Sequence, residues 1–218
     1  MLPEGAAGTP RAGGVITGNS ATATATAHVN DCWAAAGILR MQARRERERA
    51  VGTRPSAGDG PPNWLWRAGP VPPGPAVVFD IDGVLSDAAG RPHFIERGRR
   101  DWAAFFEACG DDPVIEEVAR LLELLDPALS VVLVTGRPLR VRPQTAAWLD
   151  RYGLRWDLLV MRDRGDYDRV TVYKQGVVQD LRRYGLDLRL ALEDDPANHA
   201  MFVAEGVPCV YIHSGYYE

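Results

Sequence analysis

Residues 76–83 read AVVFDIDG. Four apolar residues in unbroken succession run straight into two aspartates, one residue apart, and a glycine. Polar residues alternate into a strand only where one of its faces meets water, so an unbroken apolar run marks a strand covered on both faces. The stretch therefore predicts an inner strand of a parallel sheet, one that delivers Asp80 and Asp82 to its carboxyl end.

The same texture recurs outward from this point. Short apolar runs at 76–81, 130–135, 156–161, 188–193 and 208–213 alternate with segments whose apolar residues fall three or four apart. The pattern predicts an α/β domain, a Rossmann-like three-layer sandwich with a mainly parallel five-stranded sheet. Only the first interval is long. Val114, Val118, Leu121, Leu122 and Leu125 mark a helix within it, so residues 86–129 are expected to form a small helical cap insertion after the first strand. It holds an Arg-rich stretch, ERGRRDW, and is too small to enclose a large substrate.

Upstream the composition changes. Residues 1–30 are rich in Gly, Ala and Thr and are expected to be disordered. The segment 31–50, DCWAAAGILRMQARRERERA, could form one amphipathic helix with Asp31 as its cap. Residues 51–75 are Pro- and Gly-rich and are expected to be a linker, with Trp64 and Trp66 available to dock. The expected organisation is thus an extension over 1–75 and a domain over 76–218.

Charge divides along the same boundary. Residues 1–75 carry 8 Arg against 5 acids, and the remainder carries 17 cations against 24 acids. An acidic body cannot coat DNA through phosphate neutralisation, but it can hold a divalent metal. The three cysteines, Cys32, Cys109 and Cys209, show no CxxC spacing, which indicates neither a zinc site nor a disulfide framework and fits a reducing, cytoplasmic setting. No apolar run reaches membrane-spanning length and no secretory leader is recognisable, so the protein is expected to be soluble.

Ligands of open α/β sheets bind beyond the carboxyl ends of the strands. The first such end offers Asp80 and Asp82, the second Thr135, Gly136 and Arg137, the third Arg162 and Arg164, and the fourth Glu193, Asp194 and Asp195. Singly, each is an ordinary loop starter or helix cap. Together, five acids on one edge repel one another unless a cation lies among them, and hard oxygen ligands imply Mg²⁺. Lys174 is the only lysine among 25 cationic residues. On a helix over 170–184 it falls near the stripe of Val170, Val177, Val178 and Leu181, where an ammonium needs a carboxylate or phosphate beside it.

These residues resemble the haloacid dehalogenase superfamily of phosphotransferases. FDIDGVL at 79–85 is similar to its first motif, VVLVTGR at 131–137 to its second, Lys174 to its third and LALEDD at 190–195 to its fourth. Within the superfamily the chain resembles the 3′-phosphatase domain of phage-type polynucleotide kinases, on Gly90-Arg91, Thr135-Gly136-Arg137, LVMRDRGD at 159–166, LALEDD and EGVPCVYIHSGYY at 205–217. Two positions depart from that pattern: Val170 stands near where an acid is expected, and Asp195 where an arginine would follow the acidic pair. The kinase half has no counterpart, because the lone lysine is followed by Gln175 and cannot complete GxxxxGK[ST].

The resemblance implies an Mg²⁺-dependent phosphatase. Asp80 would be the nucleophile and Asp82 the general acid and base, with Thr135 and the Gly136 amide binding phosphoryl oxygens and Lys174 neutralising charge. The metal would be held by Asp80, the Asp82 carbonyl and Asp194, with Glu193 and Asp195 nearby. Arg91, Arg137, Arg162 and Arg164 are the expected substrate contacts, and His93, His199 and His213 are expected to be structural. The implied substrate is a phosphorylated nucleic acid 3′ end, as in nucleic acid repair, or a nucleotide. A small-metabolite phosphatase and a catalytically silent module that binds phosphorylated ends remain open, and no protein partner is deducible.

Overall fold

The computed structural model describes residues 60–95, 100–163, 165–166 and 168–217. The chain divides into two units, Met1–Met41 and Gln42–Glu218, and every described residue belongs to the second. The expected disorder over 1–30 and the expected helix over 31–50 lie outside the described residues.

Six strands form one sheet: β1 (Trp64–Trp66), β2 (Gly74–Phe79), β3 (Ser130–Pro138), β4 (Leu158–Arg162), β5 (Leu186–Glu193) and β6 (Cys209–Tyr211), in the order β1-β4-β3-β2-β5-β6. The five strands from β2 to β6 are parallel, as the apolar runs predict. Each inner strand feeds two cores because its side chains alternate between faces. Val77, Phe79, Val131 and Leu133 enter one core, while Ala76, Val78, Val132 and Val134 enter the other. Double coverage is the physical reason for the unbroken runs.

The helices that supply this cover are α1 (Trp102–Glu107), α2 (Glu116–Leu124), α3 (Arg142–Arg151), α4 (Val170–Tyr184) and α5 (Pro196–Ala204). From α2 and α3, Val118, Leu122, Trp148 and Leu149 fill the first core. From α4 and α5, Val177, Leu181, Met201 and Phe202 fill the second. Gly185 ends α4 at φ +100°, a left-handed cap that its missing Cβ permits. The cap insertion carries α1 and α2 and shares the domain core, since Cys109 and Leu122 are fully buried in it.

The expected linker over 51–75 is overturned at one place. Trp64–Trp66 forms a sixth strand, antiparallel to β4, with Trp64 opposite Val160. The Trp64 ring packs 5.5 Å from that of Tyr184, whose hydroxyl donates to the Val71 carbonyl at 2.7 Å. Asn63 Nδ2 donates to the Met161 carbonyl at 2.8 Å. Three residues among prolines and glycines are too few to show a period, and the strand exists only because β4 offers it an unpaired edge. Among the described residues, no helix is long and apolar enough to cross a membrane.

Candidate active site

Parallel strands bring their carboxyl ends to one edge, and two buried ionic clusters form there. The first surrounds the lysine. Asp80 follows β2 directly, accepts from the Ile81 amide at 2.7 Å through Oδ1, and pairs with Lys174 Nζ at 2.8 Å through Oδ2. Lys174, 1% exposed on the inner side of α4, also reaches Glu193 Oε2 at 2.6 Å. Burial alone would discharge the ammonium, but Asp80 and Glu193 outweigh it and keep it charged. Glu193 spends its other oxygen on the Asp195 amide at 3.3 Å and Asn198 Nδ2 at 3.4 Å.

Asp194 differs from its neighbours. Both its carboxylate oxygens are buried without a hydrogen bond. A Cβ on Gly83, which sits at φ +78°, would collide with its Oδ2, so the glycine keeps a space beside that carboxylate. Ligand oxygens of Asp80, Glu193 and Asp194 lie within 4.8 Å of one another. Burial and then the charge of Asp80 push Asp194 up to about 7. Burial and then Glu193 raise Asp80 as well, with Lys174 opposing. Three carboxylates around one ammonium leave a deficit of positive charge. An orphaned buried carboxylate and an all-oxygen donor set are what a hard divalent cation requires, so these residues fit one.

The second cluster surrounds Asp82. Arg137 Nε lies 3.1 Å from both its oxygens and Nη2 2.7 Å from Oδ1, while Arg91 Nη2 also pairs with Oδ1. The two guanidinium groups share a second acid, Asp112, which accepts from Arg91 Nε at 3.0 Å, from Arg137 Nη2 at 3.3 Å and from the Ser86 hydroxyl at 2.5 Å. Burial pushes Asp82 up, but Arg137 and Arg91 outweigh it and hold it at about 2. For Asp112 burial wins, and its carboxyl lies above the usual range.

This arrangement corrects the expectation that Arg91 and Arg137 contact substrate. They are 2% and 0% exposed, and their donors are directed at Asp82 and Asp112. Buried guanidinium groups need carboxylates, and Asp112 supplies one that no motif announces. Thr135 is also fully buried, its Oγ1 accepting from the Arg137 amide at 3.2 Å. Asp195 caps α5 by accepting from the Ala197 amide at 2.7 Å and lies outside the group of three acids. Arg162 turns to Asp166 at 3.4 Å and to the Asp168 carbonyl. Arg164 lies outside the described residues.

A cavity of about 960 Å³ opens over the site. Asp80, Asp82, Gly136, Lys174 and Asp195 contribute to its lining. Sequence reasoning missed the rest of the wall, chiefly Trp102, Phe105 and Phe106 of α1, together with Arg140, Arg169 and the terminal pair Tyr216 and Tyr217. Tyr216 is anchored to the insertion through Asp87 Oδ1 at 2.7 Å. The signal for α1 was present as WAAFF, three aromatic residues on a segment too short to bury them.

A mainly parallel sheet whose strand β2 runs into Asp-x-Asp, with a buried lysine on α4 and the acidic pair Glu193-Asp194 at the end of β5, defines a phosphatase of the haloacid dehalogenase type. Over residues 74–217 the chain matches the family model described as the polynucleotide kinase PNKP phosphatase domain, and it belongs to that family. Among solved structures it is similar to a chain of the Pnkp1/Rnl/Hen1 RNA repair complex, at 26% identity and a TM-score of 0.56, over 64% of this chain and 42% of that one. It therefore spans less than half the length of that relative. A class C acid phosphatase from Bacillus anthracis with tungstate bound shares the fold, at 11% identity and a TM-score of 0.51, over 82% of this chain and 76% of that one. No curated protein sequence matches.

Proposed function

We propose that this chain is a Mg²⁺-dependent phosphomonoesterase acting through an aspartyl-phosphate, with nucleic acid 3′-phosphates or nucleotides as substrates. The observation that carries the reading is Asp80 itself. Its Oδ2 is held by Lys174 at 2.8 Å and its Oδ1 by the Ile81 amide at 2.7 Å, beside an orphaned Asp194 and at the base of the cavity. Family membership and the similarity to an RNA repair chain support the choice of a nucleic acid substrate. The catalytic domain takes in the β1 segment as well as the residues downstream of it.

In the first half-reaction an Asp80 oxygen bonds to phosphorus while the ester P–O bond breaks, and the leaving oxygen takes a proton from Asp82. Asp82 rests ionised, held at about 2 by Arg137 and Arg91 against its burial. It gains affinity for that proton as the negative phosphate arrives. In the second half-reaction Asp82 removes a proton from water as the water oxygen bonds to phosphorus, and the Asp80–phosphorus bond breaks to release inorganic phosphate. Lys174 would offset the negative charge that Asp80 and the phosphoryl group bring together, and the Gly136 amide would bind a phosphoryl oxygen. Arg91 and Arg137 orient Asp82 rather than the substrate. Mg²⁺ would be held by Asp80, Asp194 and the Asp82 carbonyl, with Glu193 behind, and supplies the charge that lets two anions approach.

The test is phosphate release from an aryl phosphate and from a 3′-phosphorylated oligonucleotide by the wild type and by Asp80→Asn. Retained turnover in the variant would sink the mechanism. A preference for the oligonucleotide over nucleotides and sugar phosphates of less than about tenfold, ~1.4 kcal/mol, would count against the nucleic acid substrate.

A further inference from the structure

The chemistry proposed above needs room for a phosphoryl group, yet the cavity measures about 960 Å³, near the upper end for pockets that take drug-sized molecules. Part of its wall is α1 of the insertion. That helix, WAAFFE, carries three aromatic side chains in six residues and buries none of them fully. Trp102 is 48% exposed and lines the cavity beside Phe105 and Phe106. Aromatic surface left wet on the wall of an active-site cavity is free energy that an occupant can recover.

The aromatic wall is fixed in place. Trp102 and Phe106 are stacked at 28° with centroids 6.1 Å apart, and Phe105 stands edge-on to both, at 5.6 and 5.3 Å. Arg140 lies 5.8 Å from the Phe106 centroid, directs Nη2 to the Trp102 carbonyl at 3.4 Å and sends Nε to Glu107 at 3.4 Å. Gln144 donates to the same Glu107 carboxylate at 2.7 Å. These contacts lower the cost of ordering the wall when a ring meets it.

Its position relative to the chemistry decides what it would touch. Arg91, which pairs with Asp82, lies 4.5 Å from the Phe105 centroid. The aromatic wall is thus joined through Arg91 to the carboxylate proposed to serve the leaving oxygen, and on that reading the group attached to that oxygen would face α1. Arg169 also lines the cavity and suits a leaving group that carries further phosphate.

We propose that α1, with Arg140 behind it, is a stacking shelf that selects substrates by the ring of their leaving group, and that the ring it takes is a single unpaired nucleobase. Trp102 is the principal contact, because it is the most exposed of the three. This assignment rests on the phosphatase reading for its orientation and its kinetic test, but not for its binding test.

The test pairs a nucleoside 3′-monophosphate with its abasic counterpart, 1,2-dideoxyribose 3-phosphate. A base stacked on an aromatic side chain contributes enough that kcat/KM should favour the base-bearing compound by on the order of tenfold or more. Trp102→Ala should bring that ratio close to one, and Trp102→Phe should restore most of it. A wild-type ratio near one, or an unchanged ratio in Trp102→Ala, overturns the shelf. Calorimetric binding of both compounds to Asp80→Asn reads the shelf without turnover. Tighter binding of the base-bearing compound by about tenfold supports it, and equal affinities overturn it. Absence of phosphate release from both compounds in the wild type overturns the proposed reaction and leaves this binding comparison to decide the shelf.

Discussion

Two buried ionic clusters meet at the carboxyl edge of the sheet and are balanced in opposite ways. Around Lys174, one ammonium faces Asp80, Glu193 and Asp194, and the cluster is short of positive charge. Around Asp82, Arg91 and Arg137 face Asp82 and Asp112, two charges against two. Burial raises the acids of both clusters; Asp194, with no cation paired to it among the described residues, goes up to about 7, while two guanidinium groups overcome burial and hold Asp82 at about 2. A cluster short of positive charge fits a cation, and a balanced one suits a brace. The structure thus separates an acid-rich cluster around Lys174 from a balanced one that fixes the orientation of Asp82, although carboxylates recur in both.

Four experiments would break or sharpen this contrast. The largest effect is expected from Asp80→Asn, which should lower kcat on an aryl phosphate by at least about 10³-fold while leaving the fold intact, since it removes one of the competing acids. Phosphate release measured alongside circular dichroism would check both halves. Arg137→Met should do the reverse, costing about 3–5 kcal/mol of stability because Asp82 and Asp112 lose a shared buried partner. Urea denaturation reads this directly, and a cost under 1 kcal/mol would show that the second cluster is no brace.

Lys174→Arg is expected to lose on the order of 10²-fold in kcat while remaining folded. A broad guanidinium cannot occupy the space of a compact ammonium between Asp80 and Glu193 without crowding the cation site. Near-normal turnover in this variant would return the lone lysine to coincidence. The smallest effect is expected from Asp194→Asn. A carboxyl raised to about 7 keeps a proton in the folded chain that the unfolded chain has released above about pH 4. Stability of the metal-free protein should therefore fall as pH rises from 4 to 7, and this variant should flatten that fall and raise Tm at pH 8 by a few degrees. It should also abolish any rise in Tm on adding Mg²⁺. The Asp82 contribution has the opposite sign, present above about pH 4 and lost as pH falls through 2, so the acid limb should survive in Asp194→Asn.

Much of the fold was legible because its signals are local. The runs that become β2 to β6 were readable from residue character alone, and the span of α4 from the spacing of Val170, Val177, Val178 and Leu181. Strand β1 was not legible, since three residues between prolines have no period and owe their conformation to the edge of β4. In the site, strand ends and helix phase pointed to Asp80, Lys174, Glu193 and Asp194, which the fold brings together at the sheet edge. The arginines were identified but misdirected. Their orientation depends on Asp112, 21 residues from Arg91 and 25 from Arg137, in a loop with no motif to mark it.

By itself the sequence determined which residues stand at the carboxyl edge, because strand and helix periods are properties of neighbouring residues along the chain. It also determined the lysine as the exceptional cation. Only the tertiary structure decided how the charges pair. A side chain of four or five rotatable bonds can point toward solvent, substrate or a buried acid, and the choice is made by whichever partner the fold brings within hydrogen-bond distance. Asp112 draws Arg91 and Arg137 inward to Asp82, and the fold of the insertion puts Trp102 on the cavity wall.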